Sequence, residues 1–119
     1  MGLFSRLFRS KKKAPEGPPE HEVVVYFFYG STNFQHIYAL EDTIRHTIID
    51  AAAGIYDGHE IAEDGSDVSL YMSGPDAEAL HRVISPILAE TPFLRGAKVT
   101  LWFGPRKRGT QKRVIELPS

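Results

Sequence analysis

The chain contains no cysteine. Disulfides, thiolate metal sites and cysteine nucleophiles are therefore excluded. Long apolar runs are also missing. The longest, Val23–Tyr29, falls far short of the roughly 20 residues that cross a bilayer. The N-terminus is basic but lacks the continuous apolar segment of a secretory signal. No G-x-S-x-G, no phosphate-binding glycine loop and no H-E-x-x-H occurs, so the common enzymatic signatures are absent. No cofactor and no metal are expected from these patterns, and the expected class is non-enzymatic.

What is present suits one domain. The chain has 119 residues, enough to bury a single core without covalent staples. Its net charge of −1 conceals a segregation. Arg6, Arg9, Lys11, Lys12 and Lys13 make residues 1–13 purely basic. Arg106, Lys107, Arg108, Lys112 and Arg113 form a second basic block. Between them, residues 14–105 hold fourteen acidic residues against four basic ones. An acidic body with two basic ends bears on partners and solubility, not on fold.

Residues 1–20 read as a leader and linker. Leu3, Phe4, Leu7 and Phe8 share one helical face, with arginine and lysine around them. That pattern suits an anchor on an anionic membrane surface, or a frayed leader with no fixed structure. Arg6 stands where a myristoylation signal needs Ser or Thr. The segment APEGPPE (14–20) cannot hold a helix or a central strand, so the folded domain is expected over 21–119.

Glu22–Tyr29 is a strand apolar on both faces, which places it inside a sheet. Val23, Val25 and Phe27 should face the core; Val24, Tyr26 and Phe28 the opposite side. Ile37, Leu40, Ile44 and Ile48 predict a helix over 37–53, capped by Asn33 or Ser31 and stopped at Gly54. Glu41 and Asp42 are placed in an early turn, favourable to the helix dipole. Tyr56–Ala62 and Asp67–Ser73 flank Asp64-Gly65, the signal of a two-residue type I′ hairpin. That register pairs His59 with Leu70, Glu60 with Ser69 and Ile61 with Val68. Gly74-Pro75-Asp76 opens a second helix carrying Leu80, Val83, Ile84, Ile87 and Leu88, with Pro86 expected to kink it or weaken its second half. Lys98–Phe103 is a fourth strand and Val114–Leu117 an additional C-terminal edge strand. The order β-α-β-β-α-β predicts a ferredoxin-like α+β domain: an antiparallel sheet with two helices on one face.

By strand alternation the helix-free face presents Tyr26, Phe28, Glu60, Tyr71 and Trp102, with Ser69, Ser73 and Thr100. So many aromatic rings on an uncovered face exceed what a monomer usually exposes. The leading expectation is an interaction face, most simply for a second copy of the chain. The bland alternative is that the C-terminal strand or the leader folds over it. Glu60 beside Tyr71 also suits a small-molecule site, with Glu60 as a base whose pKa desolvation would raise. Nucleic acid is disfavoured: the third strand, DVSLYMS, has one aromatic residue and no lysine or arginine, and the body is acidic. His46 and Asp50 have a ligand-compatible helical spacing but no second pair. The acidic hairpin does not match a calcium loop.

VVYFFYGST (24–32), LEDTI (40–44), YDGHEIAEDGSD (56–67), LYMSGPDA (70–77) and GAKVTL (96–101) carry one further signal. Through them the chain from about Val23 to Gly104 resembles a small family of uncharacterised bacterial proteins. The resemblance implies a soluble bacterial domain. The missing cysteine suits the cytoplasm, and the basic leader would place the chain at the inner-membrane surface. It implies no activity.

Overall fold

The structure, a computed structural model, describes residues 20–119. The leader, its membrane contact and most of the linker lie outside the described residues. The elements run β1 (His21–Phe28), α1 (Gln35–Asp50), β2 (Ile55–Ile61), β3 (Asp67–Gly74), α2 (Ala77–Ala89), β4 (Lys98–Trp102) and β5 (Lys112–Glu116). The five strands form one sheet ordered β2-β3-β1-β4-β5. Every neighbouring pair is antiparallel. β3, β1 and β4 hold the inner positions, with β1, the most apolar strand, at the centre.

The core lies between this sheet and the two helices. β1 contributes Val23, Val25 and Phe27, β3 Val68, Leu70 and Met72, and β4 Val99 and Leu101. α1 sends down Ile37, Leu40, Ile44 and Ile48; α2 sends Leu80, Ile84 and Leu88. Each such side chain gains about 1.5–3 kcal/mol by leaving water. The period of two in the strands and of 3.6 in the helices puts all of them into one layer. Among the described residues the other face of the sheet has no helix on it. Among the described residues no helix is long and apolar enough to cross a membrane.

Several local expectations are corrected. The hairpin keeps the expected register from His59↔Leu70 to Ile61↔Val68, but its turn is not type I′. Of Asp64 and Gly65 only the glycine has positive φ, at 75°. The Gly65 amide donates to the Ala62 carbonyl at 2.8 Å, closing the turn one residue earlier. Gly65 also lies against the β1–α1 loop, where an added Cβ would stand 1.8 Å from the Ser31 carbonyl oxygen. Tertiary contact thus chose the turn. α1 starts earlier and ends earlier than expected. Phe34, not Asn33 or Ser31, holds the N-cap position and there is no side-chain cap bond; Asn33 Oδ1 accepts from the Gln35 amide at 3.2 Å from one residue further out, and Ala52, not Gly54, takes the left-handed conformation after the helix. Gly54 serves a different need: a Cβ there would lie 2.1 Å from the Ser73 carbonyl oxygen. Pro75 precedes α2, whose cap is Asp76; its side chain accepts from the Glu78 and Ala79 amides. Pro86 lies inside an unbroken α2.

Candidate functional site

The site is built around β3 and its two neighbours. Cross-strand register groups the helix-free face into rows. One row holds Ser73, Glu22 and Trp102, a second Tyr71, Val24 and Thr100, a third Ser69, Tyr26 and Lys98. β2 adds Ile55, Gly58 and Glu60 to these rows, and β5 adds Lys112, Val114 and Glu116. Tyr26, Phe28, Glu60, Tyr71 and Trp102 therefore all lie on the face that strand alternation assigns them.

They do not form one cluster. The basic loop between β4 and β5 folds back across part of the face. Its Arg106 donates through Nε to Glu22 Oε1 at 2.5 Å, and the guanidinium carbon stands 4.9 Å from the Tyr71 ring centre. Tyr71 in turn donates its hydroxyl to Glu60 Oε1 at 2.5 Å. That carboxylate, together with partial burial, holds the Tyr71 hydroxyl above the ordinary phenol range. Lys112 Nζ lies 4.9 Å from the Trp102 ring centre. Tyr71 and Trp102 are accordingly half-buried under cations. Tyr26 and Phe28 remain open. Tyr26 donates to Asp67 Oδ1 at 2.6 Å, and this bond raises its pKa.

Beside the Arg106 loop the face is concave. A groove of about 660 Å³ runs between β2 and that loop. Asp57 and Glu60 form one wall, Glu22 and Arg106 the other, and Tyr71 and Ser73 the floor. The concavity has a local cause. The β2–β3 pairing shifts between Tyr56 and Gly58, leaving Asp57 as an extra residue. Gly58, opposite Tyr71, supplies no side chain to fill the row, and a Cβ there would meet nothing within 4 Å. Bulges of this kind re-aim side chains at sheet edges. Ser73 is 8% exposed, and its hydroxyl makes no hydrogen bond among the described residues.

A second polar cluster ties α1 to β2. Glu41, 6% exposed, accepts from the Tyr56 hydroxyl at 2.5 Å and meets His59 Nδ1 at 2.6 Å. The Tyr38 ring stacks on His59 at 6.2 Å. Burial first, and then the Glu41 bond, drives the Tyr56 pKa far above its ordinary value. The early-turn role expected for Glu41 is thus corrected: no acid lies in the first turn of α1. His21 is also structural, its Nδ1 accepting from the Ala77 amide at 3.0 Å. His46 and Asp50 are both exposed on α1.

Arg106, Asp57 and Glu41 were not legible as site residues in the sequence. Arg106 reads as one charge in a solvated loop, and only the fold carries it across to Glu22. The bulge did have a signal, since a lone glycine inside a strand pattern marks a bulge or a close approach. For Glu41 the signal is its place in the stripe 37, 41, 44, 48, where an acid needs a buried partner.

Comparison with known proteins adds no relative. No family model matches the chain, no curated protein matches it, and no solved structure matches it.

Proposed function

We propose that this chain is a non-enzymatic interaction domain of the ferredoxin-like type, which pairs with a second copy of itself through its helix-free sheet face. The observation that carries this reading is the apolar surface left open on that face. Phe28 is 69% exposed, Ile55 56%, Val114 53% and Tyr26 42%. A helix would normally cover such a surface, and a lone monomer rarely displays it.

Charge supports the same pairing. The β2–β3 side of the face carries Asp57, Glu60 and Asp67. The β4–β5 side carries Lys98 and Lys112 against one acid, Glu116, with Arg106, Lys107 and Arg108 in the adjoining loop. A two-fold axis in the interface, parallel to the strands, lays the acidic side of one copy over the basic side of the other. Isologous pairing of this kind is the commonest route to a soluble dimer.

The test is light scattering coupled to size exclusion on the full chain. A dimer is expected, and Phe28→Glu or Trp102→Glu should return a monomer by burying an unpaired charge. A wild-type monomer at high concentration overturns the proposal. A second reading, a small-ligand site at Glu60 and Tyr71, is favoured by the groove beside them.

A further inference from the structure

We infer that the groove between β2 and the β4–β5 loop is a binding site for an organic ammonium ion. The inference rests on the second reading above, the alternative to pairing through Asp57 and Glu60, and names its ligand class. Four observations carry it.

The charge of the groove is unbalanced. Glu22 is matched by Arg106, but Glu60 receives only the neutral Tyr71 hydroxyl. Asp57 makes no ion pair or hydrogen bond among the described residues. A negative surplus rejects anions and favours a cation.

The floor holds an unsatisfied group. The Ser73 side chain lies opposite the core-facing Met72, lines the groove and is 8% exposed, with no hydrogen-bond partner among the described residues. A buried hydroxyl without a partner is costly, and an ammonium N–H would supply one.

The space is there. The missing side chain at Gly58 opens the wall beside Tyr71. The volume of about 660 Å³ lies in the range of small-ligand pockets.

The aromatic floor already accepts a cation. The Arg106 guanidinium stands against Tyr71, so this ring, polarised by the Glu60 carboxylate, suits positive charge. Alkylamines are protonated near neutral pH. A ligand ammonium therefore sits between Asp57 and Glu60 with Ser73 Oγ accepting beneath it. Its source is either a free oligoamine or a lysine side chain of a polypeptide.

Calorimetric titration of the full chain tests this with three probes: spermidine, tri-lysine and, as a counter-probe, glutarate. Both amines should bind and glutarate should not. Ser73→Ala should weaken amine binding about tenfold, the loss of one hydrogen bond to a charged group, and Asp57→Asn should weaken it about as much, because the charge facing the ammonium is lost while an accepting oxygen stays. Glu63→Gln removes the same charge from the exposed hairpin turn, outside the groove, and should change affinity less than about twofold. Spermidine tighter than tri-lysine supports the free amine; the reverse order supports the polypeptide. Equal losses from Glu63→Gln and Asp57→Asn overturn the site in favour of diffuse attraction. Glutarate binding that depends on Ser73 keeps the groove and overturns the ligand class. No binding by any probe overturns both. Unchanged melting temperatures of the variants separate these outcomes from misfolding.

Discussion

At the scale of single residues, Glu41 decides most. It is a carboxyl group taken out of water and held by two polar side chains from β2, the Tyr56 hydroxyl and the His59 ring. Removing it leaves the Tyr56 hydroxyl and the His59 ring without their partner. Glu41→Ala should therefore cost about 2 kcal/mol, read as a lower urea midpoint. Glu41→Gln should cost less, because an amide oxygen still accepts. His81 gives a pH-dependent effect. Burial first, then the nearby Arg113, lowers its pKa below that of a free imidazole, with Glu78 opposing and Arg82 adding a smaller push downward. The folded chain thus binds this proton less readily than the unfolded chain. The stability it contributes is complete above the unfolded pKa of about 6.5. It is lost as pH falls through the lower, folded value. His81→Gln should flatten that part of the stability–pH curve in thermal melts from about pH 7 to 5.

At the scale of elements, junctions matter more than the regular stretches. The start of α2 depends on Asp76, whose Oδ1 accepts from the Glu78 amide at 2.9 Å and the Ala79 amide at 3.4 Å. Asp76→Ala should cost about 1 kcal/mol in denaturant unfolding. The α1–β2 junction is less forgiving. Gly54 has φ 152° and passes within contact of the Ser73 carbonyl. Gly54→Ala should destabilise by about 2–3 kcal/mol and shift the amide resonances of β3, because the clash is with backbone that cannot rotate away. The elements themselves were legible. β-branched and aromatic runs marked the strands, and the stripe 37, 40, 44, 48 marked α1. The hairpin register was legible too, since Ile61 and Val68 had to share the core face. The bulge at Asp57 had one local signal, the lone Gly58 inside a strand pattern, but that signal does not say which residue is left unpaired; the register shift between Tyr56 and Gly58 does.

At the scale of the whole molecule, the division of charge across the helix-free face becomes the main variable. If two copies pair with acidic side over basic side, part of the association is screened by salt. Raising sodium chloride from about 0.05 M to about 0.5 M should weaken the dimer about tenfold by analytical ultracentrifugation. A salt-independent dimer would assign the contact to Phe28, Tyr26 and Val114 alone. The basic β4–β5 loop has a second consequence at this scale. By covering Tyr71 it converts part of a flat aromatic face into a groove.

The sequence by itself determined the α+β class, the strand order in the chain, the apolar layer and the face on which Tyr26, Phe28, Glu60, Tyr71 and Trp102 lie. Those features follow from periodicity, which is local and repeats every two or 3.6 residues. Only the tertiary structure decided which of these residues are neighbours of distant ones. Arg106 reaches Glu22 across 84 positions of chain, and Glu41 meets Tyr56 and His59 from another element. Such contacts depend on where loops return and where a strand bulges. The physical reason is that a single long polar side chain finds its partner through packing, and no local pattern encodes that encounter.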